Sequence, residues 1–406
     1  MGRFFIRGGA ELCGEISVGG SKNAALPIIF SCILICGKST IKNLPDITDV
    51  DVALDILADF GASIERICDG VIIDTTELYY RTPDIEKVSK IRASAYLIGA
   101  CLSRFGRAEL QSFGGCNFDN RPIDMHLAAA TLHGAKIDGS LLYADRLIGA
   151  DVVFDKISVG ATVNALLLSA SALGTSRIYG YAREPHVMSL IDFLNRAGGE
   201  IEVCDNCITV KGRALTSSDA NIISDMIEAG SYLSLSLATG SKLKVVGADA
   251  TELKSFTHPL VSCGANLEVS EEGITLFGNI SKPIHIVTAP YPAFPTDLQP
   301  LTSPVMARFF GGVIFEGVWR NRFGYLNELA KFGLKFESSD GCAVIHKSKL
   351  HPAMATATDL RCGAALIIAA LCADGESVIE DSDVIKRGYS DIVKKLRGIG
   401  AQIEEF

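Results

Sequence analysis

Apolar and polar residues recur along the chain in one short signature. An amphipathic helix ends at Gly, and a strand follows in which an apolar residue precedes an acidic one. The signature appears as Phe60-Gly61-Ala62-Ser63-Ile64-Glu65, His133-Gly134-Ala135-Lys136-Ile137-Asp138 and Ala197-Gly198-Gly199-Glu200-Ile201-Glu202. It returns as Cys263-Gly264-Ala265-Asn266-Leu267-Glu268, Phe332-Gly333-Leu334-Lys335-Phe336-Glu337 and Ile399-Gly400-Ala401-Gln402-Ile403-Glu404. Successive glycines lie 73, 64, 66, 69 and 67 residues apart. Self-similarity at a near-constant period marks a chain assembled from repeated structural units.

Each unit predicts the same elements. A small, apolar helix comes first (22–36, 92–105, 159–173, 229–240, 298–310, 361–373). Glycine stops it, and a strand such as Ser39–Asn43, Ala108–Phe113, Ser176–Tyr181 or Gly312–Gly317 follows. After a polar loop comes an amphipathic helix (48–60, 123–133, 186–197, 251–262, 324–332, 390–398), and a short hairpin closes the unit. The signature Gly suits the left-handed position just past a helix end. The first helices are apolar nearly all round and belong in a core, whereas the second keep a polar face. The fold class is therefore α/β: six βαβαββ-like repeats in two domains of three, helices inside and sheets outside. The strand at about residues 3–8 precedes the first helix and is expected to complete the far domain. The expected domains are 22–224 and 1–21 plus 225–406, with crossings near 20–22 and 222–227.

Composition narrows the class. At 406 residues, 48% hydrophobic and 21% charged, the chain can bury a large core and is not disordered. A net charge of -9 argues against a general nucleic-acid or membrane surface, so small anionic substrates must meet local basic clusters. The start lacks a secretory pattern and the apolar runs are too short to span a bilayer. The twelve cysteines show no disulfide framework. Reduced thiols and a cytoplasmic location are expected.

Repeats also place equivalent loops on the same side, and cations gather there. The loops before the two helices of each unit supply Lys22-Asn23, Arg92, Cys116 with Arg121, Lys156 with Ser158-Val159-Gly160, and Arg183-Glu184. The second half adds Glu228, Asp297, Arg320 with Arg322, Arg361 and Arg387. Helix N-termini beside arginines suit a phosphate and a carboxylate. One thiol, Cys116, sits in a Gly-led polar loop five residues before Arg121-Pro122, a setting that favours reactivity over packing. Three motifs carry no chemistry. Gly37-Lys38-Ser39-Thr40 imitates a P-loop end but follows a helix, Cys204-Asp205-Asn206-Cys207 reads as a hairpin turn, and His126 and His133 lack a third ligand. No metal and no cofactor is expected.

Together the motifs resemble those of the UDP-N-acetylglucosamine enolpyruvyl transferases. They are Gly20-Ser21-Lys22-Asn23-Ala24-Ala25-Leu26-Pro27, the Cys116 loop with Arg121-Pro122-Ile123-Asp124, Asp155 to Thr162, Ala182 to Pro185, Pro292 to Gln299, Asn321-Arg322-Phe323, Ala357 to Arg361, and Arg387-Gly388-Tyr389. The likeness runs in order over essentially the whole chain. It implies an inside-out α/β barrel pair, and transfer of enolpyruvate from phosphoenolpyruvate to the 3′-hydroxyl of UDP-N-acetylglucosamine, the first committed step of peptidoglycan precursor synthesis. By that resemblance Lys22, Arg121 and Arg387 hold the phosphoenolpyruvate phosphate, Arg322 and Arg361 its carboxylate, and Asn23 also belongs to the phosphoenolpyruvate site. The nucleotide sugar would meet Arg92, Arg121, Pro122, Ile123, Asp124, Met125, Lys156, Ser158, Val159, Gly160, Asp297 and Val318. Cys116 is the candidate acid and Asp297 the candidate base, with Lys22 and Arg387 assisting phosphate departure and the 114–120 loop as a lid.

The chain departs from the family pattern at Asp119, where Gly is usual, at Met226, where Arg is common, and at Arg320, where Glu is common. These keep a catalytically weak paralogue that binds the nucleotide sugar in view. A rival enzyme of the same fold, making enolpyruvylshikimate phosphate, needs neither the thiol lid nor the Lys156-to-Gly160 loop.

Overall fold

The structure is a computed structural model that describes residues 2–110, 113–114 and 122–406. They divide into two compact units. One contains the described residues from Gly20 to Ile223, and the other joins the segment up to Gly19 to Ser224–Phe406.

In the Gly20-to-Ile223 unit, the apolar helices Lys22–Ser31, Leu97–Phe105 and Val159–Ser171 are buried along most of their length. The other unit buries Met226–Thr239, Gln299–Arg308 and Leu360–Cys372 in the same way. Among the described residues six sheets carry the strands, five of four strands and one of three. Within a four-stranded sheet the plan repeats. In three of these sheets the strand before an apolar helix lies parallel to the strand after that helix; in the other two the partners are exchanged, Cys13–Ser17 pairing with Lys242–Val246 and Ala220–Asn221 with Lys38–Lys42. In four of the five a hairpin pairs antiparallel with the strand after the helix. Thus Asp151–Val153 is parallel to Thr175–Tyr179, which is antiparallel to Cys207–Lys211. Inward residues alternate with exposed ones, as in Arg3–Gly8, where Phe4 and Ile6 are buried.

The repeat signature is a shared helix end. All six signature glycines have positive φ, from +89° at Gly333 to +117° at Gly264. A residue with a Cβ would cost about 1–2 kcal/mol there. The next residue donates its N–H back across the last turn, as Ala62 does to Leu57 O at 3.2 Å and Ala401 to Leu396 O at 3.0 Å. That bond satisfies a carbonyl the helix leaves open.

The strand at Arg3–Gly8 lies antiparallel to both Gly375–Glu380 and Gln402–Glu405. It therefore supplies the partner that a hairpin supplies in the other repeats, so the sixth unit does not end in the expected local hairpin. The second repeat also departs. A short helix, Ile85–Val88, precedes its apolar helix, and its sheet has three strands. Of the expected strand over Ala108–Phe113, the described residues show Arg107–Glu109 as strand, and residues 111–112 lie outside the described ones. Gly114 N–H donates to Val88 O at 3.3 Å, and the residue is so close to Ser89 that a Cβ would overlap its carbonyl. The expected helix over 22–36 tightens into a 3-10 turn at Cys32–Leu34, where the Ile28 carbonyl accepts from the Ser31 hydroxyl at 2.7 Å as well as from Cys32 N–H. No helix among the described residues is long and apolar enough to cross a membrane.

Candidate active site

In the unit completed by Ser224–Phe406, one carboxylate gathers the chemistry. Asp297 lies in the 3-10 turn Thr296–Leu298 ahead of the helix Gln299–Arg308. Its Oδ1 accepts from Arg322 Nη2 at 2.6 Å, and its Oδ2 from Arg361 Nε at 3.1 Å. The two guanidiniums are 6% and 7% exposed and the carboxylate 30%. Burial pushes the Asp297 carboxyl upward, but the two arginines outweigh it and hold the group well below the usual carboxylate range.

The supports are as specific as the pair. Arg361 stands in the first turn of Leu360–Cys372, whose N-cap Asp359 accepts from Arg361 N–H at 2.8 Å. Its Nη1 donates to Tyr389 Oη at 3.2 Å, and that hydroxyl meets Ser231 Oγ at 2.7 Å. Glu316 organises the neighbouring loop. Its Oε1 accepts from the N–H groups of Val318 and Trp319 at 2.9 and 3.0 Å, and its Oε2 from Thr296 Oγ1 at 2.9 Å. One buried acid thereby fixes both the turn carrying Asp297 and the loop carrying Val318 and Arg322. Arg387 ends the 3-10 helix Ser382–Arg387, two residues before Tyr389.

In the Gly20-to-Ile223 unit, Lys22 opens the first apolar helix, and its Nζ pairs with Asp49 Oδ2 at 2.6 Å. Asn23 follows in the same turn. Arg92 opens the 3-10 turn Arg92–Tyr96. Asp124 opens the helix Asp124–Leu132, with Pro122 and Ile123 just before it and Met125 just after. Ser158 caps Val159–Ser171, its Oγ accepting from Ala161 N–H at 3.3 Å, which sets Val159 and Gly160 in the first turn. Lys156 is exposed on the approach to that cap. Cys116, Asp119 and Arg121 lie outside the described residues.

Other cations at equivalent loops do different work. Arg183 stacks over the Tyr181 ring at 5.1 Å and donates to Asp205 O. Arg320 is an exposed partner of Asp340 at 3.4 Å. Glu228 is structural: it accepts from Gly19 N–H, Tyr232 Oη and Lys395 Nζ at 2.7, 2.7 and 2.6 Å. Met226, where a cation is common, packs against its unit's apolar core. Among the described residues no cluster of three or more His, Cys, Asp or Glu is arranged to hold a metal. Burial pushes the Cys32 and Cys372 thiols to about 12 and Cys362 to about 11, which leaves them protonated at neutral pH.

Sequence reasoning passed over Glu252, in the polar loop before Lys254–Ser262. Burial first, then the charges of Asp249 and Asp225, raise its carboxyl to about 7. A carboxyl whose folded pKa lies above its unfolded value favours folding while protonated, and that contribution disappears as pH rises through the folded value. Glu252→Gln should therefore raise the melting temperature at pH 8 and leave it unchanged near pH 4. Equal melting shifts at both values would contradict this.

Comparison with known proteins follows the same lines. The family model of EPSP synthase (3-phosphoshikimate 1-carboxyvinyltransferase) matches residues 6–396. A UDP-N-acetylglucosamine 1-carboxyvinyltransferase from Halothermothrix orenii is 38% identical, over 100% of both chains. A UDP-N-acetylglucosamine 1-carboxyvinyltransferase 2 from Clostridium acetobutylicum is 37% identical, over 99% of both. Among solved structures, the enolpyruvyl transferase NikO from Streptomyces tendae superposes with a TM-score of 0.87 at 24% identity, covering 100% of this chain and 99% of that one. An EPSP synthase from Acinetobacter baumannii gives 0.74 at 17% identity over 100% of both. These two likenesses speak to the fold.

Proposed function

We infer that this chain, which belongs to the UDP-N-acetylglucosamine 1-carboxyvinyltransferase family, transfers the enolpyruvyl group of phosphoenolpyruvate to the 3′-hydroxyl of UDP-N-acetylglucosamine and releases phosphate. The reaction would serve peptidoglycan precursor synthesis in the cytoplasm. One observation carries the chemical part of this reading: Arg322 and Arg361 form a buried fork that already holds a carboxylate, that of Asp297. Paired guanidiniums of fixed geometry suit the carboxylate of phosphoenolpyruvate equally well.

The fork gives Asp297 two roles in sequence. Before substrate arrives it neutralises the arginines. When the substrate carboxylate takes its place, Asp297 loses the charges that hold its proton affinity down and becomes a competent base for the sugar hydroxyl. Cys116 then adds a proton to the vinyl C3, C2 gains oxocarbenium character, and the sugar oxygen bonds to C2 as its own proton passes to Asp297. The C2–O bond to phosphate then breaks as the Cys116 thiolate takes back a C3 proton, which restores the double bond, and the proton held by Asp297 leaves with the phosphate or to solvent. Lys22, Arg121 and Arg387 would stabilise the departing phosphate. For Cys116 and Arg121 this rests on the sequence motif alone.

Phosphate release in the presence of phosphoenolpyruvate and UDP-N-acetylglucosamine tests the reading. Release that depends on both is expected. No release from protein that still binds the nucleotide sugar would replace the enzyme with a binding paralogue, and release only with shikimate 3-phosphate would reassign the acceptor.

A further inference from the structure

Asn164 is a fully buried amide in the mostly apolar helix Val159–Ser171, and its side-chain bonds reach segments assigned to the nucleotide sugar or their immediate neighbours. Its Oδ1 accepts from Gly99 N–H at 2.6 Å. Its Nδ2 lies 3.1 Å from Ala95 O, 2.7 Å from His126 Nδ1 and 3.5 Å from Gly160 O. Gly99 is tight against it, since a Cβ there would lie 2.7 Å from Asn164 Oδ1. One side chain thus ties together the turn that begins at Arg92, the helix that begins at Asp124 and the first turn of Val159–Ser171.

The bonding leaves one protonation pattern. Gly99 N–H can only donate, so it must meet the amide oxygen, and the Ala95 carbonyl must meet the amide nitrogen. The nitrogen's second hydrogen then points at His126 Nδ1, which has to accept it. An imidazole that accepts at Nδ1 is neutral and carries its proton on Nε2. His126 is 5% exposed, and burial, with the Arg92 charge next, lowers its pKa to about 4. Its Nε2 edge lies against Gly160, where a Cβ would come within 3.1 Å of Nε2. An N–H donor is therefore held beside the first turn of a helix, where backbone N–H groups also lack intrahelical partners.

We propose that Asn164 is a positioning residue for the nucleotide sugar. It locks His126 as the neutral Nε2–H tautomer and clamps the three segments on which Arg92, Asp124 and Ser158-Val159-Gly160 stand. The proposal rests on the nucleotide-sugar assignment made above.

Two measurements test it, the first independent of any substrate. In protein labelled with 15N-histidine, with His126 assigned by difference against His126→Gln, the ring should show an accepting Nδ1 and a protonated Nε2 at pH 7. A proton on Nδ1, or a charged ring, would overturn the proposal even if no Asn164 variant folded. The second is calorimetric binding of UDP-N-acetylglucosamine to Asn164→Asp. That near-isosteric change replaces the donor facing Nδ1 with an acceptor, so His126 must move its proton to Nδ1. Binding should weaken about tenfold, the scale of one mismatched buried polar contact, while stabilisation by phosphoenolpyruvate alone stays within about twofold of wild type. Unchanged nucleotide affinity, or equal losses for both ligands, would refute the positioning role. Wild-type protein that binds no UDP-N-acetylglucosamine overturns the functional reading as well, and the ligand-free histidine spectrum tells the two failures apart.

Discussion

Asp297→Asn should lower turnover by about 10²- to 10⁴-fold, the usual worth of a positioned acid or base, while phosphoenolpyruvate binds at least as tightly as before. The two effects separate because Asp297 occupies the fork that the substrate carboxylate would enter. The amide keeps the shape but gives up the charge, so the substrate no longer competes with an internal anion. The same change leaves two guanidiniums, 6% and 7% exposed, without their counter-charge. Breaking such a pair costs about 3 kcal/mol, at the low end of the buried range because the carboxylate keeps some solvent contact. The variant should therefore melt lower, and phosphoenolpyruvate should restore more of its stability than it adds to wild type. The pH dependence has a definite sign. Asp297's folded pKa lies below its unfolded value, so its contribution is present at neutral pH and lost as pH falls through the depressed value. Melting of Asp297→Asn should then depend less steeply on pH below about 4 than melting of wild type. Weaker phosphoenolpyruvate binding with turnover preserved would show that Asp297 is not the group displaced.

Arg361→Lys is expected to raise the KM for phosphoenolpyruvate by about 100-fold, equivalent to about 2.7 kcal/mol, although the charge is unchanged. Arg361 uses two edges of its guanidinium, Nε and Nη2 toward Asp297 and Nη1 toward Tyr389. An ammonium has no such fixed fork. Tyr389 would lose a donor while keeping Ser231, and Asp297 would keep Arg322 alone. Affinity for UDP-N-acetylglucosamine should change far less. Steady-state kinetics with each substrate varied in turn would show the split, and equal rises in both KM values would count against a role confined to the carboxylate.

What could be read beforehand follows from which forces are local. The six glycines announce helix ends because left-handed backbone excludes most other residues, so that signal survives any tertiary context. The strand at residues 3–8 is legible from its place ahead of the first apolar helix, whereas the next strand, Cys13–Ser17, which pairs with Lys242–Val246, is not foreseen. The missing strand of the second repeat had no such marker, because what replaces it is the short helix Ile85–Val88 with Asp84 as its cap. For the candidate site, residue types were legible and partnerships were not. Asp297 can be named as a candidate base from the resemblance, but nothing local in the sequence says that two arginines 25 and 64 residues away hold it. Asn164 did leave a signal, since an amide amid Val163, Ala165 and Leu166 must find partners if the helix is buried. The pattern could not say that those partners include a histidine ring.

The strand at Arg3–Gly8 also sets a timetable. It is synthesised ahead of every other strand described, yet its partners Gly375–Glu380 and Gln402–Glu405 follow roughly 370 and 400 residues later. At about 5–20 residues per second, translation takes roughly 20–70 s to reach them. Throughout that interval Phe4 and Ile6 stay unpaired on a nascent chain while the intervening unit has everything it needs to fold. That sheet closes only once Gln402–Glu405 has emerged, so a product stalled or cut short before it would carry an open sheet edge, an aggregation hazard that quality control must meet before any enzyme exists.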